Sequence, residues 1–371
     1  MAWMDGVSLW DHHCHALLAE TWKSDLDRLA RALTEAPSTY PLEDIRHSVV
    51  FHQALDLAAS HLKVPNQVAS IEAGLATVDY AAYCRQLFEE AGYARLFVDT
   101  GYTPIGAWSL DDMRDVLGIP VLKILRLETV AEQHLTDTAD FDDWIHRYTV
   151  SVSRARDQGY VGAKSIVAYR SGLQVVPVDA SLARDGFMAM RRRGETRLTD
   201  AALLNYLLYR ATPLLMQQKL PLQFHTGFGD PDTDLLKGNP LLLRSYIESF
   251  VPEGHRIALL HTYPYHREAG YLASVYPGVY ADVSLALPLA ASGSNRILEE
   301  LLELTPLSRL LFASDSHSRP ESYFLGAQFF KDGMNAFFDR VVTRHRVLPS
   351  VVETWVEAVS RRNVEALYGS D

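Results

Sequence analysis

The chain has only two cysteines, Cys14 and Cys84, in 371 residues. Two thiols cannot build a disulfide framework, so a small cross-linked secreted scaffold is excluded. No stretch approaches the roughly 18 uninterrupted apolar residues of a membrane-spanning helix, and no membrane partner is expected. The first residues, MAWMDGVSLWDHHCH, lack a basic region followed by an apolar run. No secretory leader is therefore expected, and the expected location is cytoplasmic. Basic residues are in deficit, 35 Lys+Arg against 46 Asp+Glu, for a net charge of −11. A surface this acidic repels phosphate backbones, so nucleic acid is not an expected partner. The expected partner is a small molecule, and a homo-oligomer stays open. Internal repeats and low-complexity segments are also missing. With 48% hydrophobic and 22% charged residues, the composition is that of a globular chain.

What is present is a series of short apolar runs separated by segments of helical period. The runs are Val7–Trp10, Ala94–Val98, Val121–Leu127, Ala163–Val167, Leu222–His225, Arg256–His261, Val279–Val283 and Arg309–Ala313. Runs apolar on both faces are what buried parallel strands look like, with the helices as crossovers. Eight strand–helix units predict an α/β fold, a (β/α)8 TIM barrel, in a single domain over residues 1–371. The first two runs are unusually far apart. Leu26–Leu33, Pro41–Ala59 and Tyr80–Ala91 between them read as helix. This predicts a helical insertion after strand 1, about residues 16–92, folded over the C-terminal mouth. A second enlarged segment, Ser171–Lys219, ends in an amphipathic helix, Asp200–Gln217.

The first run leads into Asp11-His12-His13-Cys14-His15. Residues two apart on an extended chain share a side, so His13 and His15 converge while His12 and Cys14 face away. Two imidazoles on one side of a strand end suit a divalent metal, and zinc favours such nitrogen ligands. Further ligand types recur at other run ends: His225 in LQFHTGFGD, His261 in IALLHTY and Asp315 in LLFASDSH. Catalytic groups of a (β/α)8 barrel sit at the C-terminal ends of its strands. Tyr169 and Arg170 follow the fourth run, while His317 and Arg319 follow Asp315. These four are candidate substrate-binding residues, since an arginine fork matches a carboxylate. Arg126 and Glu128 close strand 3 and Asp99 with Tyr102 closes strand 2, and Arg126 equally suits an ion pair with Glu128 or Asp99 between loops. His266 and Asp230 read as solvated loop residues.

In type and order, His13, His15, His225, His261 and Asp315 resemble the metal-dependent amidohydrolase superfamily, with His-x-His on strand 1, histidine on strands 5 and 6, and aspartate on strand 8. The similarity runs from Ser8 to Tyr368, apart from the long segment after strand 1. The resemblance implies a lysine or glutamate ligand on strand 4, and Lys164 in GAKSIVAYR is the nearest candidate, although it stands toward the start of its run. In two-metal members that lysine is carboxylated by carbon dioxide, which implies a bridging carbamate on Lys164. On that pattern two zinc ions are expected: one held by His13, His15 and Asp315, the other by His225 and His261. Asp315 and Lys164 are then the catalytic residues, Asp315 serving as ligand and base. QFHTGFGD, GAKSIVAYRSGL and ASDSH further resemble the amidohydrolase-like half of proteins fused to a glutamine-synthetase-like domain. That similarity implies a hydrolase acting on the C–N bond of a small carboxylate-bearing amide, with γ-glutamyl amides first. The same barrel and ligands also serve single-metal decarboxylases and sugar-acid isomerases, which remain the alternatives.

Overall fold

The computed structural model describes residues 2–135, 137–138 and 140–369. Seven strands form one parallel sheet: β1 (Leu9–Cys14), β2 (Tyr93–Asp99), β3 (Val121–Arg126), β4 (Tyr160–Ser165), β5 (Leu222–His225), β6 (Ile257–Leu260) and β7 (Val279–Ala281). They pair in chain order, each hydrogen-bonded to the next. Every residue of β5, β6 and β7 is buried, because helices cover one face and the curled interior takes the other. Phe97, Ile124, Ala258, Leu260, Tyr280 and Leu311 pack together as one cluster with Tyr368, from the last helix, Asn363–Tyr368. The Phe97 and Tyr368 rings lie 4.6 Å apart.

The expected eighth strand is corrected. Among the described residues, Arg309–Ala313 forms no strand, only an isolated parallel bridge from Leu310 to Ala281. Its backbone still contacts both edges of the sheet: Leu311 N–H donates to Ala281 at 3.0 Å, and His12 N–H donates to Phe312 at 3.1 Å. Beyond that point one donor turns to a side chain before backbone pairing to β1 resumes at Asp315 and Ser316. Ser314 N–H and Oγ both donate to the Asp11 carboxylate, at 3.1 and 2.5 Å. Asp315 then turns into the left-handed region, with φ 51°.

Of the strand boundaries that differ from expectation, two matter for the site. β1 continues through His12, His13 and Cys14, where the apolar pattern stops at Trp10. Buried polar partners sustain it there. β4 ends at Ser165, and a short helix, Val167–Arg170, follows. Lys164 therefore stands at the C-terminal end of its strand, not toward its start.

Among the described residues, five α-helices lie between β1 and β2: Leu26–Arg31, Leu42–Arg46, Val49–Leu62, Val68–Thr77 and Tyr80–Ala91. Asp25, Ser48 and Asp79 cap three of them by accepting backbone N–H bonds. Ser48 divides the single helix expected over 41–59 into two. Between β4 and β5, Asp200 caps Ala201–Gln217, the amphipathic helix expected there.

Candidate metal centre

His13 and His15 do converge. Their ring centroids are 5.2 Å apart, and both approach the carboxylate of Asp315. The Nε2 of His13 lies 3.0 Å from Asp315 Oδ1, and the Nε2 of His15 lies 3.4 Å from it. His261 brings its Nδ1 to 3.6 Å from Oδ2 of the same aspartate. Lys164 points its Nζ into the cluster, 2.9 Å from His13 Nε2 and 3.4 Å from Asp99 Oδ2. Two groups have candidate ligand atoms within 4.8 Å of one another: His13, His261 and Asp315, and His13, His15 and Asp99. His261 and Asp315 both hold left-handed backbone, at φ 69° and 51°. Such conformations cost about 1–3 kcal/mol each in non-glycine residues and persist where the surroundings enforce them. Here Asp282 Oδ1 accepts the His261 N–H at 2.8 Å, and the His13 carbonyl accepts that of Asp315 at 3.0 Å.

Burial sets the charges. It holds the His13 imidazole down at about 3, with Lys164 adding to the effect, and holds His261 at about 4. Burial alone would raise Asp315, but His261, His13 and His15 outweigh it and keep the carboxyl well below the usual range. The Lys164 amine is pushed down by burial, against the pull of Asp99. Neutral imidazoles beside an ionised carboxylate are the donor set that a divalent cation requires. Three atoms of this set, His15 Nδ1, His261 Nε2 and Asp315 Oδ1, are buried without a hydrogen-bond partner. Such atoms are costly to leave unpaired. The residues present therefore fit the metal that the resemblance implies.

His225 stands beside this cluster and not within it. Its ring lies between those of Tyr169 and His261, with centroids at 4.1 and 4.5 Å. Its Nε2 pairs with the Phe228 carbonyl at 3.0 Å, and it belongs to neither ligand group. Gly229 permits this fold of the loop, since a Cβ there would meet Tyr169 Oη at 2.3 Å and His225 Nε2 at 2.9 Å.

Above the cluster opens a cavity of about 520 Å³. Tyr169, Arg170 and His317 line it. The Arg170 side chain is 10% exposed; its Nη1 lies 3.2 Å from Glu132 Oε1, and neither Nε nor Nη1 makes a hydrogen bond. Arg319 is a correction. It is fully buried away from the cavity, donating to both Glu321 oxygens at 3.1 and 2.9 Å and to the carbonyls of Trp22 and Lys23. Four of its five N–H donors are spent on Glu321 and on the connection after β1, away from any ligand in the cavity. His266 is not a solvated loop residue, whereas Asp230 is an exposed loop residue, as expected, at the rim of the cavity. His266 is buried, 2.7 Å from Glu300.

Several residues here have only weak signals in the sequence. Asp99 ends β2 and is gripped by Arg126 at 3.0 and 2.5 Å; its position at a strand end was the visible clue. Gln223 lies two residues before His225 on β5, hence on the same side, and meets His13 Nδ1 at 2.9 Å. Asp282 follows β7 and serves His12 and His261. Glu35 reaches the cavity from the connection between β1 and β2, where no pattern marks it. Burial, then Asp315 and Asp230, pushes its carboxyl up to about 8.

The family described as Amidohydrolase matches residues 174–369. A crystal structure of a candidate metal-dependent hydrolase from Lactobacillus casei ATCC 334 superposes with a TM-score of 0.93 and 40% identity, covering 98% of this chain and 96% of that one. Uronate isomerase of Thermotoga maritima superposes with a TM-score of 0.69 at 15% identity, covering 97% of this chain and 94% of that one, a likeness of fold alone. Protein fluG of Emericella nidulans is 37% identical over 214 residues, covering 53% of this chain. That match takes in 24% of the fluG protein, so the matched half of this chain corresponds to about a quarter of that relative. With a half-barrel of parallel strands carrying histidine and aspartate at their C-terminal ends, the chain belongs to the amidohydrolase family.

Proposed function

We propose that this chain is a metal-dependent hydrolase that cleaves the C–N bond of a small carboxylate-bearing amide, with γ-glutamyl amides the first class to test. The observation that carries the reading is the set of neutral imidazoles around an ionised Asp315 on the floor of the cavity. His13, His15, His261 and Asp315 would hold the cation. Zinc suits such ligands. A divalent cation bound there supplies Lewis acidity, polarising a carbonyl and lowering the pKa of water. Asp315 accepts the proton of the attacking water on its carboxylate and returns it to the leaving amine nitrogen. Arg170, whose Nε makes no hydrogen bond and whose Nη1 faces Glu132 at 3.2 Å, meets the substrate carboxylate, and Tyr169 and His317 wall the same space. Thr34, Glu35 and Ala36 cover the cavity from the other side. In this reading the whole chain works as one barrel domain, residues 16–92 are a helical insertion over its mouth, and the setting is cytoplasmic.

Both ligand groups contain His13, which favours one ion per chain. A second reading, two zinc ions bridged by a Lys164 carbamate, is favoured by the lysine itself. Attack on carbon dioxide needs a neutral amine, and burial moves Lys164 in that direction. The test of function is a panel of carboxylate-bearing amides and their neutral counterparts, run on zinc-loaded protein. Amine release from the acids supports the reading. Carbon dioxide release from an unsaturated acid, or isomerisation of a sugar acid, with no amide turned over, contradicts it.

A further inference from the structure

Beneath the metal cluster lies a second set of polar groups, all buried: His12, Gln223, Asp282, Ser284 and Tyr368. Their hydrogen bonds can be oriented without choice, starting from groups that only accept. The carbonyl of His12 is such a group, and Gln223 Nε2 lies 2.8 Å from it. The amide nitrogen of Gln223 must face that way, so its Oε1 faces His13 Nδ1 at 2.9 Å. His13 therefore carries its proton on Nδ1. The Nε2 of His13 is left with a lone pair, which accords with Lys164 Nζ at 2.9 Å and with the absence of a hydrogen bond to Asp315 Oδ1.

The other end is fixed in the same way. Asp282 Oδ1 accepts N–H bonds from His261 and Ser284, both at 2.8 Å, so it carries no proton. Ser284 Oγ, 2.6 Å from that oxygen, must spend its only proton there. It can then only accept from His261 Nδ1, at 2.7 Å. His261 is thereby protonated on Nδ1, and its Nε2 is a buried lone pair without a partner. Tyr368 and His12 join the two ends. The second Gln223 N–H goes to Tyr368 Oη at 2.6 Å, Tyr368 donates to His12 Nδ1 at 3.1 Å, and His12 Nε2–H donates to Asp282 Oδ2 at 2.8 Å.

We propose that Gln223, Tyr368, His12, Asp282 and Ser284 form one hydrogen-bond chain that fixes the tautomers of His13 and His261 and keeps the Nε2 of each free for a cation. Gln223 and Ser284 are positioning residues. Tyr368 extends the chain to the last helix, which closes the interior of the sheet. The use of the free nitrogens for metal rests on the function proposed above; the tautomers do not.

The test is ¹⁵N NMR of histidine-labelled, chelator-treated protein, followed by zinc titration. Wild type should show a proton on Nδ1 of His13 and His261 and on Nε2 of His12. The opposite tautomer at any of the three overturns the proposal. Ser284→Ala should give mixed tautomers at His261 and weaken zinc binding about 10–100-fold, the usual cost of losing a group that orients a ligand. Ser284→Thr should restore both. Ser284→Ala with an unchanged His261 signature and unchanged zinc affinity would overturn the assignment. Should that variant fail to fold, the wild-type spectrum still decides. The three expected tautomers in a protein that takes up no zinc would support the chain and sink the metal-dependent reading.

Discussion

His13 Nε2 and Asp315 Oδ1 stand 3.0 Å apart with no hydrogen bond between them. A neutral imidazole nitrogen with a lone pair and an ionised carboxylate oxygen repel unless something positive lies between or beside them. In the protein alone, Lys164 Nζ supplies part of that charge at 2.9 Å from His13. A divalent cation would supply it better, and four consequences can be measured.

The first separates one ion from two. With His225 Nε2 held by the Phe228 carbonyl, His225→Ala should keep its full metal content and lose turnover, because Tyr169 loses the ring it packs against. Elemental analysis of the purified variant checks this. Loss of about one ion per chain would instead make His225 a ligand and favour the two-zinc arrangement.

Lys164→Ala addresses the same question from the other side. Under the one-ion reading it should retain its cation, and added short carboxylic acids should not restore lost turnover. Recovery of activity with acetate and excess zinc would identify a bridging carbamate.

For Arg319 the expected effect is on stability. Arg319 and Glu321 are both fully buried. Arg319→Met leaves the Glu321 carboxylate without its partner, and breaking such a pair costs about 3–5 kcal/mol. Urea unfolding should show that loss, with any surviving folded protein unchanged in its preference between acidic and neutral amides.

Arg170→Met should do the reverse. Its guanidinium borders the cavity and pairs at 3.2 Å with Glu132, which is partly exposed, so folding stability should change less than in Arg319→Met. Discrimination in favour of carboxylate-bearing substrates should fall by about 2–5 kcal/mol, measured as kcat/KM on paired acids and neutral amides. Equal losses on both would make the residue structural.

Much of this was legible in the sequence, for a physical reason. The period of two in a strand put His13 and His15 on one side, and buried parallel strands announced themselves as apolar runs. What escaped was polar structure inside the sheet. His12 and His13 lie within β1 because Asp282, just after β7, and Gln223, on β5, satisfy them from far along the sequence, and no local pattern signals such pairing. The segment at 309–313 looked like a strand, but Asp11 draws off the backbone donor of Ser314 just beyond it. Arg319 looked free for a ligand because Glu321, two residues on, gives no hint of burial. Glu35 was invisible for the opposite reason: it sits in a connection whose helices report only their own packing.

The most direct measurement is the divalent metal content of the protein as purified and after chelation and zinc titration, compared with Asp315→Asn and His13→Gln. Both variants remove a donor from the shared cluster. The account predicts stoichiometric zinc uptake by wild type and affinity at least 10-fold weaker in each folded variant. Wild type that binds no divalent cation, or variants that bind it as tightly as wild type, would contradict it.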